Sequence, residues 1–80
     1  MQDVNAKETL TANIRRELRA RKWRQSDLAD RLKWPQSRVA EVLNSDHNPR
    51  LDTVEAIANA FGVSTSALLL PLPENSALST

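Results

Sequence analysis

The chain contains no cysteine and no tyrosine, and only one glycine, one histidine and one phenylalanine. Without cysteine it has neither a disulfide nor a thiolate metal site. The single His47 cannot assemble a metal cluster, so zinc chemistry is set aside and no cofactor is expected. No apolar run approaches the roughly 18 residues that a membrane span needs. The opening Met1-Gln2-Asp3-Val4-Asn5 has no apolar stretch of the secretory kind, which points to a cytoplasmic protein away from membranes. Paired carboxylates in an apolar pocket, a Ser/His/Asp set and a glycine-rich phosphate loop are all missing, so nothing indicates an enzyme. The scarcity of glycine and the lack of apolar/polar alternation argue for an all-α chain.

Eighty residues make one domain. A domain of this size buries only about 60% of its unfolded surface, so the core is thin and leans on apolar packing, extended by a partner subunit. The net charge of +1 conceals an uneven distribution. Residues 15–38 carry nine bases against Glu17, Asp27 and Asp30, a local charge of +6. Residues 39–80 carry Arg50 against five acids, or −4, and residues 1–14 carry −1. A basic half joined to an acidic half is expected when one face meets a polyanion.

Helical periodicity marks five segments. The first, over Ala6–Arg21, sets Leu10, Ile14 and Leu18 on one stripe, with Arg15, Arg16, Arg19 and Lys22 flanking it. The second, Gln25–Leu32, buries Leu28, Ala29 and Leu32, and the third, Gln36–Asn44, buries Val39, Val42 and Leu43. Only Lys33, Trp34 and Pro35 separate them, and Pro35 forces one helix to stop and lets the next begin. The fourth begins near Leu51 and turns Val54, Ile57, Ala58 and Phe61 inward, with Gly62 closing it. The fifth is capped by Ser64 and holds Ala67, Leu68 and Leu69, with Leu70 at its end and Pro71 and Pro73 stopping it. Residues 74–80 are small and polar; residues 71–80 form a flexible tail, residues 1–9 a partly helical arm, and residues 10–70 the domain between. No internal repeat stands out.

Two short helices joined by a three-residue turn form the geometry that presents a helix to the major groove. Counting Gln25 as position one, small Ala29 stands at five, where the helices cross, and Val39 and Val42 stand at fifteen and eighteen. These residues do not stand alone. Asn13-Ile14-Arg15-Arg16, Gln25-Ser26-Asp27-Leu28-Ala29, Ser37-Arg38-Val39, Asn48-Pro49-Arg50-Leu51-Asp52-Thr53 and Ala60-Phe61-Gly62-Val63-Ser64 follow in order at the right spacing. Residues 13–70 thereby resemble the Cro/C1-type (XRE-like) helix-turn-helix family of phage and bacterial regulators. The resemblance implies a compact five-helix bundle of the lambda-repressor-like type that binds double-stranded DNA with its third helix in the major groove.

It also implies roles for residues. Gln25, at the start of the second helix, is expected to anchor a phosphate, where helix N–H groups and the dipole favour an anion, with Arg24 adding charge. The start of the third helix reads bases in this family, which selects Gln36, Ser37 and Glu41. Gln bonds adenine bidentately and Glu accepts from cytosine. Arg38, also outward with Ala40, holds a phosphate instead. Asn44, Asn48 and Arg50 grip phosphates around the following loop, where His47 has no role. Helix dipoles explain Arg19, Arg21 and Lys22, but not Arg24 or Arg38. Trp23 is expected half-buried. Trp34 plugs the turn or, alternatively, touches a sugar or thymine methyl.

Two positions depart from the family pattern. Lys33 stands where glycine is common, at a cost of about 1 kcal/mol if its backbone is left-handed. Pro35 replaces the usual Ser or Thr cap, another cost of about 1 kcal/mol, and puts the third helix's start in question by one residue. Leu68, Leu69, Leu70 and Leu72 cannot all point inward in so thin a domain, which indicates a homodimer interface. A repressor on a palindromic operator is the leading function. An antitoxin that also holds a toxin protein, using the terminal arms, and a purely protein-binding bundle are the competitors.

Overall fold

The computed structural model describes residues 6–44 and 48–70. His47, Leu72, the tail with Pro71 and Pro73, and residues 1–5 of the arm lie outside the described residues. The described residues form five helices and no strand: α1 (Ala6–Arg21), α2 (Gln25–Leu32), α3 (Gln36–Asn44), α4 (Leu51–Phe61) and α5 (Thr65–Leu69). These are the five segments that the periodicity predicts. Helix α3 starts at Gln36, so neither Lys33 nor Pro35 shifts its register.

The apolar stripes meet in one core. Leu10, Ile14 and Leu18 of α1, Leu28 and Ala29 of α2, Val39 and Leu43 of α3, and Val54, Ile57, Ala58 and Phe61 of α4 are buried. Leu32 and Val42 are only partly buried and pack against this cluster. Helix α2 lies on α3 and α4, while α5 closes the bundle against α1 and α4. Full burial of one Leu or Ile stabilises by about 1.5–3 kcal/mol, so these few contacts decide whether so small a domain folds.

Leu68 departs from its expected place at an interface. It is fully buried among the core residues, because a helix as short as α5 holds the bundle closed chiefly through this side chain. Leu69 and Leu70 are exposed, 44% and 60%, as is Leu51 at the start of α4, 63%. Helix α5 begins at Ser64, whose hydroxyl accepts the Ala67 N–H at 3.2 Å, as the capping pattern predicts.

A polar tie joins α5 to α1. Asn13 is fully buried, and its Nδ2 donates to the carbonyls of Leu68 at 2.7 Å and Leu70 at 2.6 Å. Both acceptors are helix-end carbonyls that have no partner within α5, so the amide supplies what the short helix lacks. Arg21 does the same for α4: its guanidinium donates to the Phe61 carbonyl at 2.6 Å and to the Glu17 carboxylate.

Candidate nucleic-acid interface

Three helices end alike. At α1, the Lys22 N–H bonds Arg19 and the Trp23 N–H bonds Leu18; at α2, Lys33 bonds Asp30 and Trp34 bonds Ala29; at α4, Gly62 bonds Asn59 and Val63 bonds Ala58. Each pair is a Schellman closure, which places one residue in left-handed backbone. Glycine serves at Gly62, with φ +76°. Lysines serve at the other two, with φ +58° at Lys22 and +60° at Lys33, so the mild strain expected at Lys33 is present.

The turn between α2 and α3 is held from both sides. Ala29 and Val39 are buried at the crossing, and the Trp34 indole packs partly against the core, as a plug would. Pro35 offers no N–H, but its carbonyl accepts the Arg38 N–H at 3.0 Å and so opens α3. The face turned away from the core carries Gln36, Ser37, Arg38, Glu41 and Asn44, all exposed. Ala40 is half-buried rather than outward.

The structure gathers four of the expected contact residues around one groove. Arg38 and Glu41 of α3, with Val42, face Asn48, Pro49 and Arg50 of the following loop and Thr53 of α4 across a volume of about 270 Å³. Arg50 is exposed and makes one loose pair with Asp52 at 3.6 Å. Such an exposed pair contributes at most about 1 kcal/mol and leaves the guanidinium available. Asn44 lies at the far end of α3, where its Oδ1 accepts from Arg15 of α1 at 3.4 Å. Arg15 is thus a basic neighbour that the sequence did not single out for this face.

The start of α2 is arranged differently. Gln25 is half-buried and Arg24 is exposed. The Asp27 carboxylate accepts the Arg24 backbone N–H at 2.8 Å and lies 3.8 Å from the Arg24 guanidinium. An anion from the chain itself therefore already sits at this helix N-terminus. The first turn of α3 holds no acid and carries the exposed Arg38 instead.

A helix-turn-helix family model matches residues 14–68, more than half of the chain. The chain belongs to the helix-turn-helix family, in its Cro/C1-type, XRE-like branch. The crystal structure of a hypothetical transcription factor, NHTF, from Neisseria is similar to it, with a TM-score of 0.81 and 30% sequence identity over 92% of this chain and 85% of that one. No curated protein sequence matches the chain significantly. A helix-turn-helix domain binds DNA, and none of its described helices is long and apolar enough to cross a membrane.

Three features of this helix-turn-helix domain escaped the sequence reading. The pattern Lys-Trp-x-Gln-Ser occurs twice, at residues 22–26 and 33–37, and forms both junctions on either side of α2. The eleven-residue spacing was visible, but one copy lies outside the turn on which attention falls. Asn13 gave a fainter signal, a polar residue beside Ile14 on the inward side of α1. The Arg38 guanidinium lies 3.9 Å from the centre of the Trp34 ring, a contact at i, i+4 that crosses a helix boundary and so has no periodicity to announce it.

Proposed function

We propose that the chain is a sequence-specific transcriptional regulator, a repressor that binds a palindromic operator as a homodimer with α3 in the major groove. The observation that carries this is the exposed face of α3, where Gln36 and Ser37 precede Arg38 and Glu41, which line a groove with Asn48 and Arg50. Gln36 bonds adenine through its amide, Ser37 bonds a neighbouring base, and Glu41 accepts from a cytosine amine. Arg24, Gln25, Arg38, Asn44, Asn48 and Arg50 contact phosphates, which fix register without reading sequence. The similar Neisseria protein, named a hypothetical transcription factor, supports regulation as the purpose of binding.

Two half-sites about one turn apart need two copies of the domain. Leu69 and Leu70 supply an apolar surface for that contact, with Leu72 beyond them. Repression requires only occupancy of a promoter, which a cytoplasmic helix-turn-helix protein achieves by binding alone.

Fluorescence anisotropy with DNA from upstream of the chain's own gene, against a scrambled duplex at two salt concentrations, tests this. Tight binding that prefers the native fragment and weakens with salt is the expected result. Equal and weak binding to both duplexes contradicts it, and would turn the search to a toxin partner by pull-down.

A further inference from the structure

We infer that Trp34 is a positioning residue for DNA binding: it holds the Arg38 guanidinium face-on so that its edge is presented to a phosphate. This rests on the DNA-binding face proposed above. Trp34 is fixed on one side, because its backbone N–H bonds the Ala29 carbonyl at 3.0 Å and its ring packs partly on the core. On the other side its ring carries Arg38 at 3.9 Å, the shortest of the four guanidinium–ring contacts among the described residues.

Arg38 differs from Arg21 in what its N–H groups do, and from Arg31 in how many acids line its cleft. Arg21 lies over Phe61 at 4.9 Å, but its donors are spent on Glu17 and the Phe61 carbonyl. Arg31 lies over Trp23 at 4.4 Å beside Asp27 and Asp30, which line the same cleft. Arg38 is exposed and opens onto the groove shared with Glu41, Asn48 and Arg50, and it forms no ion pair with Glu41 or any other described carboxylate. Stacking uses the face of the guanidinium and leaves its in-plane donors free, which is the edge that bonds phosphate bidentately. A flexible arginine loses rotamer freedom when it binds, whereas one already laid on an indole has lost it on folding.

The test uses one duplex enriched from a random pool by the unmodified chain, one scrambled duplex, and the variants W34L, W34F, R38A and W34L/R38A of the same chain. Circular dichroism confirms that each is folded at the assay temperature. The expected result is a loss of about two- to five-fold for W34L on both duplexes alike, the size of an exposed cation–π contact. W34F, which keeps a ring, retains most of the affinity. R38A lowers the slope of log affinity against log salt by about one, while W34L leaves that slope unchanged, because the charge remains. The W34L loss disappears in the R38A background.

Affinity of W34L equal to that of the unmodified chain overturns the inference, as does a loss that persists undiminished with R38A or falls on the enriched duplex only. That last pattern is the mark of a displaced α3. If R38A itself binds both duplexes as the unmodified chain does, Arg38 has no place in the interface, and the proposed binding face fails at that residue too. If R38A weakens binding while W34L does not, the face stands and only the positioning role falls.

Discussion

The two copies of Lys-Trp-x-Gln-Ser begin as the same structure and end as different ones. In both, lysine adopts left-handed backbone, the tryptophan N–H closes the preceding helix, and the next helix starts at glutamine. They differ at the first residue beyond the tryptophan, Arg24 against Pro35, and again at the fourth. After Trp23 it is Asp27, which turns back to the Arg24 N–H; after Trp34 it is Arg38, which lies on the indole. Trp23 stacks on Phe61 with ring centres 5.7 Å apart and is covered by Arg31, so its surroundings come from the fold. Gln25 is half-buried and Gln36 exposed. The same five letters make a closed joint in one place and an open, basic one in the other. What separates them is Arg24 against Pro35, which has no N–H for a carboxylate to hold, the opposite charges of Asp27 and Arg38, and the helix packed behind the indole.

The tryptophans offer the strongest way to break that contrast. Trp23→Ala should lower stability in urea melts by about 3 kcal/mol, because it removes a ring stacked within the fold. Trp34→Ala should lower it by about half as much, since its outer face meets only Arg38. Equal losses would mean that the second joint is as structural as the first.

The glutamines come next. Gln36→Ala should cost about 1–3 kcal/mol of discrimination between the enriched and a single-base-altered duplex, with no change in stability. Gln25→Ala should weaken binding to all duplexes equally, as a phosphate contact does. Anisotropy titrations separate the two patterns, and a sequence-dependent loss at Gln25 would erase the distinction between the joints.

Smaller effects sharpen it. Asp27→Ala should destabilise by about 1 kcal/mol through loss of the acceptor at the start of α2. The same change removes a carboxylate from that N-terminus, so affinity for any duplex should rise slightly at low salt. Lys22→Gly and Lys33→Gly should each stabilise by about 0.5–1 kcal/mol by relieving left-handed strain, read as a Tm higher by a few degrees. If only one of them gains, the two turns are less alike than their backbones indicate.

How legible all this was in the sequence varies with the range of the forces involved. Helix positions followed from local rules: the stripe of Leu10, Ile14 and Leu18, the proline at 35, the cap at Ser64. The outward face of α3 followed as the complement of Val39 and Leu43. Leu68 went the other way, since its burial depends on how α5 lies across α1 and α4, and periodicity over five residues cannot fix that. Asn13 and Arg21 were invisible in their roles because their partners lie 55 and 40 residues away in the chain. The anion at the start of α2 was hidden for a different reason. Composition registers Asp27 as a charge, whereas its carboxylate accepts the Arg24 backbone N–H at the start of α2.

The most direct measurement is selection from a random duplex pool by the unmodified chain and by Gln36→Ala in parallel. A helix-turn-helix domain that reads DNA through the start of α3 should enrich a site of two-fold symmetry. The variant should then lose preference at one base in each half-site and keep the rest. The same site enriched by both chains, or none by either, would contradict the assignment of that face to base reading.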